Sequence, residues 1–129
     1  MTERFRRRLA ALDAPTRRFL AGLALVTAVA LAFRLSLLGS IAARNPDGGD
    51  PLFYHLQANF LVEGHGFSDP FLWLETGRYE PVAIHPPLFT VWLAVASALG
   101  FKGFLAHKIM SCIAGALAVT AIGVLGREV

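Results

Sequence analysis

The stretch FLAGLALVTAVALAFRLSLL, residues 19–38, decides the class of this chain. Only Thr27, Arg34 and Ser36 break its apolar run, and about 20 residues of helix rise roughly 30 Å, one hydrocarbon core. A second run of this kind, FLAHKIMSCIAGALAVTAIGVL at 104–125, stops before Arg127 and spans about 33 Å as a helix. Between them lies PPLFTVWLAVASALG, residues 86–100. Its two prolines cost nothing in a first helical turn and Gly100 is a natural stop. The apolar part reaches only about 21 Å, so this helix either begins below the membrane surface or draws 82–85 in with it. Both cases put His85 at a depth where a polar side chain is expensive unless it has a task. The expected fold is therefore an all-α membrane protein with three transmembrane helices, at 19–38, 86–100 and 104–125.

Composition agrees. The 129 residues are 55% hydrophobic and 16% charged, against about 25% charged in an average soluble domain; a soluble core would leave that apolar excess exposed. Cys112 is the single cysteine, which excludes a disulfide framework or a cysteine-based metal site within the chain. Arg4, Arg6, Arg7, Arg8, Arg17 and Arg18 crowd the first 18 residues against Glu3 and Asp13 alone. Nucleic acid is not the expected partner; a basic cytoplasmic tail at 1–18 is. A cleaved signal peptide would share the basic start, the apolar centre and the small residues Ser40, Ala42 and Ala43. Against it, the apolar stretch is longer than the usual signal core and further spans follow.

Charge also orients the spans. Lys102 in the 101–104 turn and Lys108 one turn further on mark a cytoplasmic connection, which leaves the loop at 44–84 outside. That loop carries Asp47, Asp50, Glu63, Asp69, Glu75 and Glu80 against Arg44 and Arg78. Three crossings would put 126–129 on the outer side, as the start of a longer chain. Ala24, Ala28 and Ala32 on the first span, and Ser111, Gly115 and Gly123 on the third, form small-residue faces that favour close approach of further helices of this or another chain. Arg34 has room to snorkel to the interface or to turn inward towards an anion.

The external segment, 39–85, is far longer than an ordinary connection and is rich in aromatic residues: Phe53, Tyr54, Phe60, Phe67, Phe71, Trp73 and Tyr79. Asp50-Pro51 reads as an N-cap followed by a proline at the first helical position, and Gly64 as a stop. A short amphipathic juxtamembrane helix at about 51–63 follows. Its Leu52, Phe53, Leu56 and Phe60 gather on one side, so it should lie flat on the bilayer with His55 and Asn59 turned away. Asp69-Pro70 and Gly77 read as turns, Trp73 and Trp92 as interfacial residues, and His107 and Lys108 as anchors at the cytoplasmic end of the third span.

One order of features stands out: a basic tail, a first span ending in Arg34-Leu35, the stretch Asp50-Pro51-Leu52-Phe53-Tyr54-His55-Leu56-Gln57-Ala58-Asn59, then Gly64 and Gly66, then His85-Pro86-Pro87-Leu88. It resembles the N-terminal part of the GT-C glycosyltransferases, in particular the protein O-mannosyltransferase and aminoarabinose transferase branch in its actinobacterial form. The resemblance covers about residues 31–129. It implies transfer of a sugar from a polyprenyl-phosphate carrier on the outer face of the cell membrane, with Asp50 as catalytic base. It also implies His85 and Arg34 as the groups facing the carrier phosphate, with Tyr54 and His55 in support. The lipid-linked sugar would be a substrate, and membrane lipid a partner. The chain departs from that pattern at Pro51 and Ile84, where related enzymes often carry acidic residues. With only Asp47 and Asp50 close in sequence, no metal site is expected, since hard cations want several oxygen ligands. On this reading the fragment alone would be inactive. The alternatives are a small multi-span scaffold or assembly protein without catalysis, and a transporter subunit; the latter would show broken or polar helices at mid-membrane.

Overall fold

The computed structural model describes residues 13–38 and 47–128. The tail arginines at positions 4–8, together with Ser40, Ala42, Ala43, Arg44 and Val129, lie outside those residues. Among the described residues five helices follow one another: α1 Ala14–Leu37, α2 Gly49–Val62, α3 Pro70–Thr76, α4 Pro87–Ala98 and α5 Phe104–Glu128. The chain divides into two compact units, one formed by 13–34 with 113–128 and the other by Leu35–Cys112.

The first unit is a helical hairpin. Its α1 and the greater part of α5 run antiparallel, with Arg127 donating to the Thr16 hydroxyl at 2.6 Å and capping the Phe19 ring at 4.9 Å. Further along, Leu23 lies against Gly123, Thr27 and Thr120 share a hydroxyl hydrogen bond of 2.9 Å, and Arg34 packs over Gly115. The glycines are small for a reason: a Cβ on Gly115 would stand 2.6 Å from Arg34 Nε. Gly115 and Gly123 thus meet side chains of α1, while Ala24, Ala28, Ala32 and Ser111 stay exposed. A cavity of about 420 Å³ remains beside Ala24, Ala28 and Thr120. Both helices are long and apolar enough to cross a membrane, with mean hydropathies of 2.0 and 2.1 over their most apolar windows. Leu25, Val29, Phe33, Ile122 and Leu125 are exposed, an apolar surface suited to lipid.

Among the described residues two helices of crossing length are present, not three. The expected second span is α4, 12 residues from Pro87 to Ala98, about 18 Å at 1.5 Å per residue against a core of roughly 30 Å. Strict alternation of three crossings would also make the first and third spans parallel, and they are antiparallel. The chain leaves the hairpin at the Arg34 end and re-enters it at the same end.

In the second unit α2 packs along α4. Both are stopped by glycine: Gly64 (φ 89°) and Gly100 (φ 92°) take the left-handed conformation, and His65 N–H and Phe101 N–H then donate back to Phe60 O and Ala96 O at 2.9 Å each, the Schellman closure. The contact face of α4 is Thr90, Leu93, Ala94 and Ser97, all buried, while Leu88, Val91, Val95 and Leu99 form an exposed apolar stripe. Trp92 Nε1 donates to Met110 O at 2.9 Å, fixing α4 against the start of α5. Asp69-Pro70 is a helix start rather than a turn. Asp69 Oδ1 accepts from the N–H groups of Phe71 (2.9 Å) and Leu72 (3.2 Å), and Gly77 (φ 71°) closes the helix. The chain then returns beside itself: Asp69 N–H donates to Glu80 O and Val82 N–H to Phe67 O, both at 2.8 Å.

That return overturns the flat, two-faced helix expected at 51–63. Phe53 and Phe60 are buried, with Phe60 edge-on to Trp73 and Tyr79 at 5.2 and 5.1 Å between ring centres. His65 stacks on Tyr79 at 3.7 Å. On its other side α2 buries His55 and Gln57 rather than presenting them to water. Lys102, read as cytoplasmic, pairs with Glu63 at 2.9 Å, so the α4–α5 turn lies beside the end of α2 and not across a bilayer from it.

Candidate functional site

The helix start at Asp50 is subtler than an Asp-Pro cap. Helix α2 begins at Gly49, after Gly48 in extended conformation, and no side chain caps it. Asp50 therefore sits inside the first turn, where a carboxylate is favoured by the helix dipole, with its side chain three-quarters exposed. Its Oδ1 lies 3.7 Å from His85 Nε2. Asp50, Phe53 and Tyr54 are spaced i, i+3 and i+4, so helical geometry aims all three the same way. His85 occupies the focus, with its ring 4.4 Å from that of Phe53 and 5.1 Å from that of Tyr54. Tyr54 is held in turn by an edge contact with Phe89 at 4.9 Å. Residues 50 and 85 are thus joined by the packing of α2 against the start of α4.

Beside this pair lies a cavity of about 290 Å³ between α2, α4 and the first turns of α5. Asp50 and Tyr54 stand on it, as do His55, His107 and Lys108, with Phe89, Leu93 and Phe104 as apolar wall. His55 stacks on Phe104 with ring centres 3.7 Å apart. Burial, reinforced by the neighbouring His107 ring, pushes the His55 pKa down from 6.5 to about 4, because a charge is penalised where water is excluded.

Four of the five residues singled out from the sequence come together here: Asp50, His85 and Tyr54 in direct contact, and His55 on the adjoining cavity. Arg34 belongs to the other unit, where its Nη1 donates to Ala30 O at 3.1 Å. Sequence reasoning missed His107, Ser97, Thr90 and Gln57. Thr90 donates to Gln57 Oε1 at 2.8 Å, and Gln57 Nε2 to Ser68 O at 3.3 Å. The signal for them was the pair Thr90 and Ser97, seven residues apart on one face of an otherwise apolar helix. Among the described residues no three His, Cys, Asp or Glu side chains converge to hold a metal ion.

The arrangement offers a solvent-reachable carboxylate next to an imidazole, with an aromatic rim and a largely apolar recess. It can take a proton from a hydroxyl at Asp50 and donate a hydrogen bond from His85. Compared with known proteins, the chain matches no family model, no curated protein and no solved structure.

Proposed function

We propose that this chain is the N-terminal membrane portion of a glycosyltransferase that uses a polyprenyl-phosphate sugar on the outer face of the cell membrane. The pairing of Asp50 with His85, 3.7 Å apart and 35 positions apart in sequence, carries the reading. In such a transfer the acceptor oxygen attacks the anomeric carbon, the carbon–oxygen bond to the carrier phosphate breaks, and the acceptor proton must go to a base. Asp50, exposed and uninvolved in capping, is free for that task. His85 offers an N–H to the phosphate as negative charge gathers on it.

Sidedness follows from charge. Arg17 and Arg18 at the start of α1 and Arg127 at the end of α5 share one end of the hairpin, which the positive-inside tendency assigns to the cytoplasm. The site then belongs to the outer side.

The test is kinetic, on the protein in membranes with a polyprenyl-phosphate sugar donor. Asp50→Asn should lower turnover by about 10²-fold or more, the scale of losing a general base, and His85→Ala should chiefly raise the KM for the donor. Wild-type turnover in Asp50→Asn would refute the assignment.

A further inference from the structure

The hydrogen bonds behind the cavity form a chain whose direction is fixed by its far end. Lys102 O can only accept, so Asn59 turns its Nδ2 to it at 3.2 Å and its Oδ1 to Ser97. The Ser97 hydroxyl spends its one proton on that oxygen, at 2.7 Å. The contact of 2.9 Å between Ser97 Oγ and His107 Nε2 must then run from the ring nitrogen to the hydroxyl oxygen. His107 is buried, and among the described residues no carboxylate lies within ion-pair distance of it. A charged ring there is costly, so its Nδ1 carries a lone pair. His55 therefore donates from Nδ1 across the 3.0 Å contact between the two rings. What is left is the Nε2 lone pair of His55, a hydrogen-bond acceptor on a residue that lines the cavity.

We propose that this cavity is a binding site for an alcohol with an apolar body, its hydroxyl donating to His55 Nε2 and its body lying against Phe89, Leu93 and Phe104. His107 and Ser97 are positioning residues: they set which nitrogen of His55 is bare. The volume of about 290 Å³ is enough for a substituted six-membered ring. Asp50 lines the same space. On the transfer reading given above, on which this extension rests, the site would receive the acceptor and would name its class as an apolar-bodied alcohol.

The experiment reads binding and needs no turnover, so it stands apart from the kinetic test of Asp50. The full chain, with its histidines labelled by nitrogen-15, is placed in lipid nanodiscs and titrated with 4-fluorobenzyl alcohol and, separately, 4-fluorotoluene. His55 should show a protonated Nδ1 and a bare Nε2, and His107 the opposite tautomer. The alcohol should shift the His55 Nε2 resonance saturably and about tenfold more tightly than the toluene, the worth of one hydrogen bond. Ser97→Ala should lose both the tautomer and the preference, and Ser97→Thr, which keeps a hydroxyl, should restore them. A wild-type His55 protonated at Nε2, or equal responses to the two probes from partition into lipid alone, would overturn the proposal.

Discussion

Asp50 and Asp69 precede prolines in near-identical settings, yet only Asp69 caps a helix. Its two N–H contacts at 2.9 and 3.2 Å are missing at Asp50, whose partner is instead His85. The difference bears on mutagenesis. Asp69→Ala should cost about 1 kcal/mol of stability through the lost cap, while Asp50→Asn should leave thermal unfolding unchanged within about 0.5 kcal/mol; a differential melt in detergent compares them. His55 makes a pH prediction. Its folded pKa of about 4 lies below its ordinary 6.5, so between those values the unfolded chain binds more protons and stability rises with pH. This contribution is complete above about pH 6.5 and is lost as the pH falls towards 4. His55→Phe should flatten the dependence of Tm in that window. An unaltered slope would mean another group carries it.

At the scale of elements, what was legible in the sequence was what the bilayer enforces. A hydrocarbon core demands a long apolar run, and 19–38 and 104–125 announce themselves by that rule alone. Helix α4 satisfies the composition and not the length; its exposed stripe of Leu88, Val91, Val95 and Leu99 opposite buried Thr90 and Ser97 marks a helix apolar outside and hydrogen-bonded inside. Periodicity gave the existence of α2 but not its partners. Phe53 and Phe60 read equally well as lipid-facing, because no local pattern says that Trp73 and Tyr79 will return to cover them. Of the candidate site, Asp50, Tyr54 and His85 were legible and the hydrogen-bonded layer behind them was not, since Ser97 and His107 acquire meaning only when α4 and α5 pack. Two substitutions probe these elements. Gln57→Leu strands the Thr90 hydroxyl and Ser68 O, and should destabilise the second unit by about 1–3 kcal/mol. Gly115→Ile drives side-chain atoms into Arg34 and should destabilise the α1–α5 hairpin by about 1–3 kcal/mol. Unfolding in mild detergent measures both.

For the whole molecule, the function proposed above puts Asp50, His85 and the α4–α5 turn on one side of the membrane. From sequence, Lys102 reads as inside and Glu63 as outside, yet the two pair at 2.9 Å; the proposed topology follows instead the antiparallel hairpin with Arg127 beside Thr16. The direct measurement is cysteine accessibility in a Cys112→Ala background, with single cysteines at the exposed positions Glu75, Gly103 and Glu128. In intact cells a membrane-impermeant thiol reagent should label positions 75 and 103, and reach 128 only after permeabilisation. Labelling of 75 and 128 with protection of 103 would contradict this arrangement and restore a third crossing between them.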